Sequence, residues 1–105
     1  MKYILSIDQS TSSSKAMLFD RQGRLLTGCS RPHRQIHPKP GWLEHDPEEI
    51  YSNVLEACRV VMETAGIASR DVVAVSITNQ RETVMLWNKK TGKPLHHAMV
   101  WQCSR

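Results

Sequence analysis

Two short polar stretches hold the residues of this 105-residue chain that could do chemistry. The first runs Asp8-Gln9-Ser10-Thr11-Ser12-Ser13-Ser14-Lys15. Its hydroxyls and backbone N–H groups can wrap phosphate oxygens, and Lys15 adds a positive point charge. Asp8, at its head, is a hard oxygen ligand of the kind Mg²⁺ takes directly or through water. The second stretch is Asn79-Gln80-Arg81-Glu82. The forked donors of Arg81 and the Glu82 carboxylate can together grip neighbouring hydroxyls of a polyol. Taken singly, each has a plainer reading, a solvated serine-rich turn and a surface ion pair. The difference lies in whether the fold brings the two together.

The elements around them imply that it does. Residues 3–7 form a short, mostly apolar run that reads as a strand buried on both faces. Lys15 to Asp20 reads as a second strand, Asp20-Arg21-Gln22-Gly23 as a turn, and Arg24 to about Arg34 as a third strand. Together these predict an antiparallel three-stranded meander. Residues 36–46 contain Pro38, Pro40 and Gly41 and read as a connecting loop. Asp46 as N-cap, Pro47 at the first helical position and Glu49 at the capping-box position then start a helix. Ile50, Val54, Ala57, Cys58, Val61, Met62 and Ala65 share one face of it, and Gly66 stops it. Residues 72–78 are β-branched and apolar, a further strand expected to be buried; residues 83–87 read as another, and 95–101 as extended. A helical crossover places strand 72–78 parallel to an earlier strand, and residues 3–7 are the natural neighbour. Both polar stretches then leave the carboxyl ends of adjacent parallel strands, where open α/β sheets bind ligands.

Composition narrows the function classes. A formal charge of +4 is spread without a run of like charges, and aromatic residues make up 6% of the chain. That argues against a nucleic-acid surface, which combines a basic track with stacking aromatics. Cysteines at 29, 58 and 103 show no paired ligand spacing, and the five histidines form no HxxxH or HExxH pattern. The sparse, odd cysteine count fits a reducing compartment. The apolar run after Lys2 is too short for a signal peptide or a membrane span, so a cytoplasmic location without membrane partners is expected. No Gly-x-x-x-x-Gly-Lys-Ser/Thr occurs, which excludes a P-loop.

The order of motifs adds a family. Ile7-Asp8-Gln9-Ser10-Thr11-Ser12-Ser13-Ser14-Lys15 resembles the N-terminal phosphate loop of the FGGY carbohydrate kinases. The segment from Gln35 through Pro40-Gly41-Trp42-Leu43-Glu44-His45-Asp46-Pro47 resembles the loop before their first long helix. Ile77-Thr78-Asn79-Gln80-Arg81-Glu82-Thr83 and Val100-Trp101-Gln102-Cys103 are similar to the glycerol kinase branch of that family. The resemblance covers residues 3 to 105 and implies a ribonuclease-H-like, actin-type ATPase lobe, with a second, ATP-binding lobe absent from these residues. It implies Arg81 and Glu82 on substrate hydroxyls, Trp101 against the substrate carbon chain, and Thr11, Ser12, Ser13 and Lys15 on the phosphates of ATP. The resemblance also implies Asp8 near Mg²⁺, through water. The resemblance also places the catalytic aspartate and the adenine pocket beyond Arg105. Asp8, Asp46 and Glu82 are therefore not assigned as the base, the isolated chain is expected to be inactive, and the longer protein is expected to be a homo-oligomer. Ser10 stands where the glycerol branch usually has Gly, and Lys15 where it usually has Arg, which leaves a different polyol or ketose substrate as the alternative. A non-catalytic domain of the same fold is the other.

Overall fold

The computed structural model describes residues 2–104. Strands β1 (Tyr3–Gln9), β2 (Ser13–Phe19) and β3 (Leu25–Pro32) form the meander, followed by β4 (Glu44–His45) and helix α1 (Pro47–Ala65). A short 3₁₀ turn at Ser69–Asp71 leads into β5 (Val72–Thr78), and β6 (Ala98–Met99) comes near the end. The main sheet has the order β3-β2-β1-β5. β1 pairs antiparallel with β2 and parallel with β5, so the expected mixed α/β sheet with its crossover helix is the observed one.

Local chemistry explains the boundaries. The β2–β3 turn is organised by Asp20, whose Oδ1 accepts from the backbone N–H groups of Gln22 and Arg24, each at 2.9 Å. Its Oδ2 accepts from Arg24 Nε at 2.8 Å. These donors, led by the Arg24 backbone N–H, hold the Asp20 carboxyl below the usual carboxylate range. Gly23 turns the chain with φ at +80°, a region where other residues would be strained. Asp46 caps α1 by accepting from Glu48 N–H at 3.0 Å. Glu49 does not complete the expected capping box; Arg34, arriving from the end of β3, donates to its carboxylate through Nε at 3.1 Å. At the other end, Gly66 adopts φ +70° and its N–H reaches Glu63 O at 3.1 Å.

One face of the sheet is covered. Leu5, Ala16 and Leu18 from the sheet meet Ala57 and Val61 from α1, with Cys29, Cys58, Ala65 and Val72 packed around them. Since α1 lies mainly over β2 and β3, the outer strand β5 stays open, and Val75 and Ile77 are 54% and 70% exposed. Strand 3–7 is therefore not buried on both faces, because a single helix can shield only one side of a sheet, and strand 72–78, lying beyond the helix, is exposed on both. The run 83–87, read as a strand, forms only isolated bridges, Val84 with Met99 and Trp87 with Pro94. Residues 95–101 contribute only the two-residue β6, which pairs with β4 in a second small sheet. The loop 36–46 thus has its own partner in the chain's last segment.

Leu18, fully buried at the centre of this core, is the most informative stability probe. Leu18→Ala is expected to lower unfolding free energy by ~2–5 kcal/mol, since it leaves a cavity beneath α1. Urea unfolding of the two proteins measures the difference.

Candidate functional site

The register of the parallel pair sets the site. Asp8, near the end of β1, lies beside Thr78 at the end of β5 and beside Lys15 on β2. Each strand end is followed at once by a polar stretch. β1 gives way to Ser10-Thr11-Ser12, where Ser10 closes the turn by donating its N–H to Ser13 O at 2.9 Å and its hydroxyl to the same oxygen at 3.0 Å. β5 gives way to Asn79-Gln80-Arg81-Glu82, and Glu82 takes φ +53°. A left-handed backbone is costly for a residue with a Cβ, and strain of this sort concentrates at sites where a side chain must be aimed.

Between the two loops lies a cavity of about 470 Å³ lined by Asp8, Gln9, Ser10 and Thr11 on one side and Asn79, Gln80, Arg81 and Glu82 on the other. Trp101 closes a third wall, and its indole N–H donates to Thr11 Oγ1 at 3.2 Å. The small sheet delivers this tryptophan. β4 and β6 pair, Met99 exchanges backbone hydrogen bonds of 2.9 and 3.0 Å with Val84, and Ser104 N–H reaches Gly41 O at 2.8 Å. Five of the residues singled out from sequence, Asp8, Thr11, Arg81, Glu82 and Trp101, line this one space. Ser12, Ser13 and Lys15 do not line it. Strand β2 begins at Ser13, two residues earlier than expected, so Ser13 and Lys15 belong to the sheet and Lys15 projects as an exposed side chain.

Behind the cavity is a polar layer that sequence reading did not identify. His45 is fully buried and touches both loops indirectly. Gln35 Nε2 donates to two backbone carbonyls, Thr11 O at 3.1 Å and His33 O at 3.4 Å. That orientation turns Gln35 Oε1 toward His45 Nε2, 2.7 Å away, so Nε2 must carry the proton. His45 Nδ1 is then an acceptor, and Gln80 Nε2 donates to it at 3.0 Å. The same Gln80 amide donates to Thr83 Oγ1 at 2.9 Å. His33 stands edge-on to His45 with ring centroids 4.3 Å apart. The sequence gives no local signal for these residues, since Gln35, His45 and Gln80 each stand among other polar residues and their partners lie far apart in sequence.

A profile of the FGGY family of carbohydrate kinases, N-terminal domain, matches residues 3–105. Glycerol kinase 1 of Thermotoga maritima is 55% identical over 103 residues, which are 98% of this chain and 21% of that protein. Glycerol kinase of Caldanaerobacter subterraneus is 50% identical over 99% of the chain and 21% of its own length. Among solved structures, Plasmodium falciparum glycerol kinase with ADP superposes with a TM-score of 0.87 at 40% identity, over 100% of this chain and 21% of that one. Ligand-bound xylulose kinase of Lactobacillus acidophilus gives 0.88 at 24% identity, covering 98% of this chain and 20% of that one, a likeness of fold alone. The chain thus spans about a fifth of the length of the relatives it matches.

Burial, with the nearby His33 as the next cause, pushes the His45 pKa from 6.5 down to about 4, against the opposing pull of the Glu49 charge. Burial also lowers His33. An unfolded histidine binds a proton near pH 6.5, whereas folded His45 waits until about pH 4. Between those values the unfolded chain holds more protons, so stability is full above the window and falls as pH drops through it. The slope from His45 alone is at most ~1.4 kcal/mol per pH unit. Urea midpoints measured from pH 7 to pH 4 are expected to fall, and less steeply in His45→Gln; identical slopes would refute the assignment.

Proposed function

The chain belongs to the FGGY family of carbohydrate kinases, and we propose that it is the first lobe of a two-lobed, ATP-dependent glycerol kinase. In this reading a terminal hydroxyl of glycerol receives the γ-phosphoryl group, giving glycerol 3-phosphate and ADP. The observation that carries it is the placement of Arg81 and Glu82 across one cavity from Asp8 and Thr11. Relatives bearing the glycerol kinase name at 50–55% identity support the choice of polyol.

The residues have distinct tasks. Arg81 donates to, and Glu82 accepts from, adjacent hydroxyls, which fixes which oxygen faces the phosphate. Trp101 offers a flat apolar surface for the carbon chain. Thr11 and the neighbouring backbone N–H groups receive phosphate oxygens. Ser12, Ser13 and Lys15, outside the cavity wall, would contact the phosphates of ATP from beside it.

A magnesium ion fits this donor set. Among the described residues no group of three or more His, Cys, Asp or Glu is arranged to hold a metal. Asp8 supplies a single carboxylate at the cavity, which suits an ion that keeps several waters and shares phosphate oxygens. When bound, Mg²⁺ neutralises phosphate charge. The chain's own contribution is to align the attacking hydroxyl and the phosphoryl group, which matters most for a loose phosphoryl-transfer transition state. The base that accepts the hydroxyl proton belongs to the part of the protein beyond Arg105.

Ser10 is compatible with this chemistry. Among the described residues Glu82 is the only non-glycine with positive φ, so the Ser10 backbone does not need the freedom of glycine. Lys15 retains charge but not the fork of an arginine.

The test is ADP release from MgATP by the gene product extended beyond Arg105, across glycerol, erythritol, dihydroxyacetone, xylulose and ribulose. Glycerol is expected to give the highest kcat/KM, and the 105-residue chain alone to give none. Arg81→Ala and Glu82→Ala are each expected to lower kcat/KM for glycerol roughly 10- to 100-fold, as loss of a charged hydrogen bond implies. A ketose preference would refute the glycerol assignment.

A further inference from the structure

His45 makes no contact with the cavity, yet its ring joins the two loops that do. One nitrogen reaches the Thr11 loop through Gln35, and the other reaches the Gln80–Thr83 turn through the Gln80 amide. Every hydrogen in this chain has one consistent direction. Two backbone carbonyls fix the Gln35 amide, which fixes the His45 tautomer, which fixes the Gln80 amide, which leaves Thr83 Oγ1 as acceptor toward Gln80 and donor to Arg81 O at 3.4 Å. The last bond ends on the backbone of Arg81, directly before the strained Glu82. A side chain that had only to fill space would not need two polar atoms, and burying them unpaired would be costly.

We infer that His45 is a positioning residue, which holds the Arg81–Glu82 turn in register with the Thr11 loop through the Gln35–His45–Gln80–Thr83 relay. The inference rests on the polyol kinase reading for its activity test, but the geometry it invokes exists whatever the substrate. Relative placement of two half-sites is what a transfer reaction is most sensitive to, so a loosened relay shows as weaker and less productive polyol binding. The imidazole is not unique in this task. A glutamine at 45 also offers one donor and one acceptor and can span the same two partners, whereas leucine offers neither.

The variants His45→Gln, His45→Leu and Thr83→Val, made in the longer gene product, test this. His45→Leu is expected to raise the KM for glycerol roughly tenfold and to lower kcat, while His45→Gln stays within about threefold of the parent. A purely structural role would lower the melting temperature and the amount of active enzyme but leave KM alone. A folded His45→Leu protein with the parental KM overturns the proposal. Should His45→Leu not fold, Thr83→Val keeps the volume and removes only the end of the relay; its KM is expected to rise about three- to tenfold, and an unchanged value likewise overturns the proposal. If the parent phosphorylates no polyol, the functional reading is at fault, and the relay is then read by amide hydrogen exchange at residues 79–83. Faster exchange there in Thr83→Val, with parental exchange in His45→Gln, supports it; equal exchange in all three contradicts it.

Discussion

The parallel hydrogen-bonded ladder between β1 and β5 sets where every other part of the site can be. It places Asp8 beside Thr78, so the two chain segments that follow emerge from the same edge of the sheet as neighbours. A parallel pair cannot be closed by a short turn and needs a crossover of a dozen or more residues. Helix α1, with 19 residues, meets that need and at the same time buries Leu5, Ala16 and Leu18 against Ala57 and Val61. The core and the site are therefore products of one connection. A change that loosened α1 on the sheet would also separate the two loops.

What the ladder leaves undetermined is the fine alignment of those loops, and a second layer of interactions supplies it. The loop before α1 brings Gln35 and His45 behind the cavity, and the last segment brings Trp101 to its open side. The small sheet of β4 and β6 links these two contributions, with Ile36 bridging Glu44 on one flank and Val84 bridging Met99 on the other. Gln35, His45, the Gln80 Nε2 group and Thr83 depend on one another in this layer, while Gln80 Oε1 is buried without a hydrogen-bond partner. Protonating His45 would set a donor against the Gln80 amide that donates to it, so burial and this bond together hold the ring neutral. This layer is consequently a part of the structure that responds to acid between pH 6.5 and about 4, while the apolar core beneath α1 has no comparable dependence.

Much of this could be read from residues alone. The meander, the cap at Asp46, the helix through Ala65 with its stop at Gly66, and the parallel return at residues 72–78 all follow from local patterns of apolar, capping and turn residues. The meeting of Asp8 and Thr11 with Arg81 and Glu82 follows from the crossover argument. Other features depend on distant partners and leave no local trace. Thr83 to Trp87 has the residue types of a strand, but its neighbours offer only single bridges, so no strand extends. The exposure of β5 could not be anticipated, because Val75 and Ile77 carry the same apolar signal whether covered or exposed. Glu49 sits where a capping box needs it and is taken instead by Arg34, fifteen positions earlier. The His45 relay is the strongest example, since Gln80 is thirty-five positions from the ring it contacts.

The most direct measurement is a crystal structure of the longer gene product with glycerol and MgADP bound together. The account requires glycerol hydroxyls on Arg81 and Glu82, its carbon chain against Trp101, and the metal, through water, on the Asp8 side of the same cavity. Glycerol held elsewhere, or a phosphate and metal site remote from Asp8 and Thr11, would contradict the claim that the parallel ladder builds the site.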